Sequence, residues 1–379
     1  MNNYLNIHIL SSVAFANPNR DDAGAPKTAY YGGVERARMS SQSLKRAARI
    51  AFEASTLGPT IRSAKVADLV KAKLDERGLG EIDTETAMLL DQAIRSLVEA
   101  EPKPRKPAAD EQQSDETESG DTLMWLSETE VTAIADALEP HVRDGGKLAA
   151  GAKLTAKDIK NMYGLVTGAV HEPALSIAAF GRMFANSVDN AVDAAVQVSH
   201  ALSTHAHAIE VDYFTAVDDL QKHGAGHIGL NMFTGAVYYR HLSVDRAQLG
   251  ANLGDRLEGL RSELEGLLRA MIVELPRGKQ TTTAHQSLPS AVLIVEGSRP
   301  ANLVEAFEAP VKSTDGYVIP SVEALADYIS DVRSFAPEVF GRSWFAGRSV
   351  HAAKFGDATV LDLTGLASAC ASWALEPTR

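Results

Sequence analysis

Between Glu99 and Asp121 the chain carries eight acids, three bases and three prolines but no aromatic residue. A stretch like that cannot bury enough apolar area to offset the entropy of ordering it. It reads as a linker or a disordered insertion, so the core must be built from what lies on either side. Upstream, Leu5 to Phe15 has strand character, with Leu5, Ile7 and Ile9 alternating against Asn6 and His8. Helical patterns then dominate from residue 41 to about residue 165: Arg62–Arg77, Thr84–Val98 and Ser127–Ala137, the last opened by a Ser127-x-x-Glu130 capping box. Downstream the character alternates. Pro173–Phe184 is expected as a strand, Val188–Leu202 as a buried Ala/Val-rich helix and Gly235–His241 as a strand. Asp245–Leu275 follows as one long helix, Ala291–Val295 as a strand, Val322–Ser334 as a helix and Ala358–Leu363 as a strand. A strand and helix, a helical insertion and then a mixture indicate the α+β class.

The 379 residues, 45% hydrophobic and 23% charged, suffice for two or three domains with a large core. One cysteine, Cys370, excludes an internal disulfide framework and a Cys-based zinc site; a buried inert thiol is expected there. Met1–Tyr4 lacks the basic region of a signal peptide, and no run approaches the about 18 apolar residues of a membrane span. A cytoplasmic protein with no membrane partner is expected.

Charge is distributed unevenly. Asn19–Arg49 holds seven Lys/Arg against three Asp/Glu, a net of +4, in a chain of net charge -12. A cationic island in an acidic protein has the character of a footprint for a polyanion. Ser40 or Ser41 can cap a helix running from Ser41 to Ala54, whose free N–H groups and dipole suit phosphate. Leu44, Ala47, Ala48, Ala51 and Phe52 form its apolar stripe, while Lys45 and Arg49 sit one turn apart on another face. An ordinary amphipathic helix with a solvated basic face fits the same stretch equally well.

Other features point to less. Gly224–Gly229 spells GxGxxG, but it neither follows a hydrophobic strand nor opens a helix, so a glycine loop is favoured over a nucleotide site. His200, His205, His207, His223 and His227 match no metal-ligand spacing. No metal and no cofactor are expected. Asp21-Asp22 and Asp218-Asp219 suggest salt bridges to neighbouring arginines or helix caps rather than an acid–base pair. Tyr213-Phe214, if extended, places its two rings on opposite faces, one of them free to stack on a base or wedge beside it; core packing of Phe214 is the competing reading.

NRDD at 19–22, PKTAYYGG at 26–33 and SSQSLKRA at 40–47 resemble the N-terminus of the CasC family, the backbone subunits of type I-E CRISPR Cascade complexes. Gly181-Arg182-Met183, HALSTH at 200–205, VDYFTAVDDL at 211–220 and AFEAPVKSTDG at 306–316 continue the resemblance in order. Only the acidic stretch near residue 100 and the last thirty or so residues lack a counterpart. The resemblance implies a modified RNA-recognition-motif (ferredoxin-like) palm from 1–59 and 166–379, with a hairpin thumb at about 203–235. A helical fingers insertion would fill 60–165, with the acidic linker 99–121 inside it. It implies a non-catalytic scaffold whose copies assemble head-to-tail along CRISPR RNA beside other Cascade subunits, the guide pairing with target DNA in antiviral defence. Lys27, Lys45, Arg46 and Arg49, with Ser40 and Gln42 at the helix start, would hold RNA phosphates. Arg20 would join them, or pair with Asp21 or Asp22, and Lys279 and Lys312 would add to them. Met183, Tyr213 and Phe214 would serve as wedges, with Val217 beside them in the RNA-binding set. The enzyme alternative, a CRISPR RNA endonuclease on a related ferredoxin-like fold, would draw on His8 or His205 with Lys27.

Overall fold

The computed structural model describes residues 2–56, 59–77, 84–99, 122–142, 156–217, 225–356 and 358–377. In chain order the elements begin with β1 (Tyr4–Ala16), β2 (Thr28–Tyr31), β3 (Val34–Met39) and α1 (Ser41–Glu53). Next come β4 (Thr60–Ser63), α2 (Val66–Glu76), α3 (Thr84–Arg95), β5 (Met124–Ser127), α4 (Glu128–Val142), α5 (Ala156–Ala169) and α6 (Leu175–Phe180). The chain continues through β6 (Val196–Val198), β7 (Ala201–Ser203), β8 (Glu210–Val217), β9 (Ala225–Asp245), α7 (Arg246–Leu253), α8 (Arg261–Val273) and α9 (Gln280–Thr283). It ends with β10 (Ala291–Gly297), α10 (Val318–Phe335), β11 (Phe340–Gly347), α11 (Ser349–Ala352), β12 (Thr359–Val360) and α12 (Leu363–Leu375). This is a mixed α+β structure organised as two compact units. The first comprises residues 1–55, 196–247 and 255–379; the second comprises 56–195 and 248–254.

The first unit is built on one sheet with strand order β12-β11-β10-β1-β9-β7-β3-β2, and β6 and β8 also pair with β9. All its pairings are antiparallel except β11 with β12. Leu10, Val237, Tyr239, Leu293 and Val295 pack on Val322, Leu325 and Ile329 of α10, which covers one face. Tyr238 and Ala236, one step along the same strand and so on the other face, cluster with Leu44 of α1 and Leu275. Arg240 is buried there. Its Nη1 donates to the Glu274 carbonyl at 2.8 Å and its Nη2 to the Ile272 carbonyl, the free acceptors at the end of α8. Desolvation lowers its pKa to about 10, and the carbonyl bonds keep the charge tolerable.

The second unit has its own core, in which Val70, Leu74, Ile94, Leu97, Val131, Ile134, Leu138 and Val166 cluster with Met124 and Leu126 of β5, which pairs antiparallel with β4. The predicted capping box forms: Ser127 N donates to Glu130 Oε2 at 2.9 Å and Glu130 N to Ser127 Oγ at 3.0 Å. Glu130 and Arg182 form an ion pair at 2.8 Å, their side chains 1% and 2% exposed.

Several local expectations need correction. Pro173–Phe184 yields the short helix α6 rather than a strand, and all six of its residues are buried. A continuous apolar run has no period to distinguish the two states. Val188–Leu202 is a single 3-10 turn followed by β6 and β7, because Val196 and Ala201 are taken up as sheet residues. Asp245–Leu275 breaks at Gly254, whose φ is 55°, so α7 and α8 are separate. The expected strand at 358–363 shrinks to Thr359–Val360, since Asp362 caps α12 by accepting from Gly365 N. Residues 226–229 of the glycine motif lie inside β9. The acidic stretch beyond Glu99 and the pair Asp218-Asp219 lie outside the described residues.

Candidate nucleic-acid interface

The cationic segment becomes a surface at the start of α1. Ser40 caps the helix, its Oγ accepting from Ser43 N at 3.3 Å. Asn19 Oδ1 accepts from Ser40 N at 2.8 Å and from Ser43 Oγ at 3.3 Å, which ties the 19–27 loop to the helix start. Lys27 N bonds back to the Asn19 carbonyl at 3.0 Å. Arg38, at the end of β3, donates from Nε to the Thr28 carbonyl at 2.9 Å, and its Nη1 lies 3.3 Å from His200 Nδ1. The same nitrogen of His200 accepts from Ser41 N at 3.4 Å. Two donors converging on Nδ1 require the neutral ring with its proton on Nε2. Its pKa is lowered by partial burial and then by the charges of Arg38 and Lys27. Arg20, Gln42, Arg46 and His200 are exposed, and Lys27 and Arg38 are half-buried. Gln42 and Arg46 stand one turn apart on the same face of α1. This grouping supplies the charge and donors that suit a phosphate backbone.

The structure redistributes the sequence candidates. Lys45 and Arg49 do not face open solvent as the helix pattern suggested. Both are half-buried, burial lowers the Lys45 pKa, and Arg49 pairs with Glu53 at 3.3 Å. The Ser40 side chain is buried in its capping role and is not offered outward as a donor. Arg20 makes no ion pair with Asp21 or Asp22; Asp21 Oδ1 instead accepts from Ala25 N at 2.9 Å and closes a turn. Lys312 is exposed, next to Ser313 in the wall of a cavity of about 690 Å³ also lined by His205, Tyr317 and Arg348. Arg36, counted with the cationic island, is fully buried and clamps the carbonyls of Ser203, Phe307, Glu308 and Tyr31 at 2.8–3.2 Å. Gly32 beside it has φ 60°, and a Cβ there would lie 1.7 Å from the Glu308 carbonyl oxygen. The YYGG turn is therefore a close-approach joint. Arg38 and His200 escaped the sequence reading as anion ligands because their placement depends on the long-range pairing of β3 with β7.

A second feature is the hairpin β8–β9. Its register places Tyr213 opposite Leu230 and Phe214 opposite Gly229. Val211, Tyr213 and Leu230 share one face and are 56%, 72% and 53% exposed. Phe214 lies on the other face, with its ring over Gly229, where a Cβ would meet Phe214 Cζ at 2.4 Å. The two rings thus take opposite faces. Phe214 belongs to neither a core nor open solvent: it is 40% exposed and packs within the hairpin. Val217 ends β8, opposite Ala225. Lys279 Nζ donates to Asn231 Oδ1 at 2.7 Å on the Phe214 face. In the second unit, Met183 follows the buried Arg182 and is 84% exposed.

The remaining chemistry-bearing groups point inward. His8 is buried, bonded through Nδ1 to Tyr239 Oη at 2.9 Å and stacked on His241 at 5.1 Å. His205 contacts the Ala206 carbonyl through Nδ1 and accepts from Val237 N through Nε2. Among the described residues no three His, Cys, Asp or Glu side chains converge on a metal site, and His223 lies outside them. Cys370 is buried, its pKa pushed up to about 12. Among the described residues no helix is long and apolar enough to cross a membrane.

A family model described as "CT1975-like protein" matches residues 5–367. A chain of a "CRISPR RNA-guided surveillance complex, pre-nicking" is 31% identical over 98% of this chain and 100% of its own, with a TM-score of 0.81. A chain of a "CRISPR RNA-guided surveillance complex" is 25% identical over 98% of this chain and 99% of its own, with a TM-score of 0.71. No curated protein matches at a significant level.

Proposed function

We propose that this chain, which belongs to the CT1975-like protein family and is a Cascade-type CRISPR-associated protein, is the non-catalytic backbone subunit that carries the guide RNA in a type I-E-like assembly. The observation that carries this reading is likeness over the whole length to a surveillance-complex chain, 31% identical across all of that chain. The exposed cations and donors at the start of α1 support it. In this reading the first unit is the RNA-recognition-motif-like palm, the second is the fingers domain, and β8–β9 is the thumb. Arg20, Lys27, Arg38, Gln42 and Arg46 hold phosphates and leave the bases to pair with target DNA, so specificity resides in the guide. Tyr213, Phe214 and Met183 wedge beside the paired strands. Copies add head-to-tail through contacts that do not close into a ring, with the RNA setting the length. The full burial of His8, which an RNA-cleaving alternative would use as acid or base, favours a scaffold over an endonuclease.

The test is expression of the chain with a CRISPR array. The scaffold reading expects elongated assemblies that collapse on ribonuclease treatment, and no defined products when the purified protein meets labelled repeat RNA. Monomers with bound RNA absent, or defined cleavage products, would refute it.

A further inference from the structure

Three residues other than glycine have positive φ among the described residues: Phe15 at 39°, Lys279 at 56° and Ala284 at 47°. For a bulky side chain such a backbone is strained and persists only where its surroundings enforce it, often at a binding site. Two of the three meet at the foot of the β8–β9 hairpin. Phe15 sits in the bulge where the β1–β9 register shifts between Val13 and Ala16. Its ring lies 4.5 Å, centre to centre, from that of Phe233, and it remains 46% exposed. The turn bearing Lys279 rests on the same strand end: Gly278 N donates to the Pro18 carbonyl at 3.2 Å. A Cβ at Gly278 would come within 2.5 Å of that carbonyl oxygen.

The hairpin register then aligns these groups. Phe233, Asn231 and Gly229 occupy one face of β9, about 7 Å apart. They carry, in order, the ring of Phe15, the ammonium of Lys279 and the ring of Phe214. An aromatic, a cation and an aromatic along one strand resemble a stacking platform for single-stranded nucleic acid. Exposed Glu210 and Asp212 share that face on the β8 side. They repel phosphate there, so the face suits bases more than backbone. A cavity of about 690 Å³ opens against the same bulge, lined in part by Val13, Ala14 and Gly235.

We propose that Phe15, presented by the strained bulge beside Lys279 and in line with Phe214, is a base-stacking residue that holds one nucleobase of single-stranded RNA at the foot of the hairpin. The proposal rests on the RNA-binding reading above and adds a base contact that the phosphate surface at α1 does not supply.

The test uses the purified full chain and single-stranded oligoribonucleotides carrying 2-aminopurine at successive positions, whose emission is quenched by stacking. Wild type should quench the probe strongly at one position. Phe15→Asn suits a positive φ and removes the ring, so it should fold at least as stably, bind about tenfold more weakly and leave that position emissive. Phe15→Trp should keep both binding and quenching. Phe15→Leu, which retains an apolar contact with Phe233, should lose the quenching. Undiminished affinity and quenching in Phe15→Asn or Phe15→Leu would overturn the proposal while leaving the RNA-binding reading intact. So would a loss confined to self-assembly, which would make the ring a protein contact. A wild type that bound none of the probes would overturn both.

Discussion

The salt dependence of RNA binding tests the surface at α1 most directly. Arg20 and Arg46 are exposed and enter no ion pair among the described residues, whereas Arg49 is partnered by Glu53 and Lys45 is half-buried. Each phosphate neutralised on a single strand contributes about 0.7 to the slope of log K against log salt. If Arg20, Lys27, Arg38 and Arg46 each meet a phosphate, they contribute a slope of about -2.8, or about 50-fold weaker binding for a fourfold rise in salt. Replacing Arg20 and Arg46 with Ala should flatten the slope by about 1.4, reducing that loss to about sevenfold. Both side chains are exposed, so the thermal midpoint should stay where it is. Fluorescence anisotropy with a labelled single-stranded RNA, titrated at four salt concentrations, reads the slope. An unchanged slope in a folded double variant would show that the RNA runs elsewhere. Lys45→Ala with Arg49→Ala is the contrasting pair: it should lower the melting temperature, because both side chains are packed against their surroundings.

Arg182→Met should destabilise the second unit by about 3–5 kcal/mol, because it strands Glu130 as a buried carboxylate. Pairing it with Glu130→Leu should recover part of that loss, which denaturation followed by circular dichroism can measure; full stability in the single variant would contradict the assignment. Acid should also weaken the first unit. Burial lowers the His241 pKa to about 4 from its ordinary 6.5 and places His8 well below its ordinary range. Their stabilising contribution is therefore complete above about pH 6.5 and falls as pH drops toward 4, by roughly 3 kcal/mol for His241. Melting curves between pH 7 and 4 should show that decline, and His241→Gln should reduce it. Tyr213→Ala, at a ring 72% exposed, should leave the isolated chain's melting unchanged but weaken target-DNA binding of the assembled complex about tenfold; a destabilised monomer would mark the ring as structural.

The sequence alone settled features that depend on near neighbours. The Ser40 cap, the apolar stripe Leu44–Ala47–Ala48–Phe52 and the Ser127–Glu130 capping box all formed, because each is closed by residues three or four positions apart. The alternation in β1 likewise marked a sheet strand. The charge excess of residues 19–49 located a cationic segment, but only the tertiary structure sorted its members. Arg36 turned inward because the carbonyls of Phe307 and Glu308, about 270 positions away, offered it acceptors. Arg38 met His200 because β3 pairs with β7. Lys45 is half-buried although the helix period sets it apart from the apolar stripe. The strands β6 and β7 stand where the sequence pattern predicts a helix, since a short apolar segment takes its conformation from the strand it pairs with. The positive φ of Phe15 is the furthest from the sequence: nothing in a Phe codon specifies it, and a bulge against β9 enforces it. Local hydrogen bonds and periodicity were thus legible in the chain, while the exposure of each cation and aromatic was decided by partners remote in sequence.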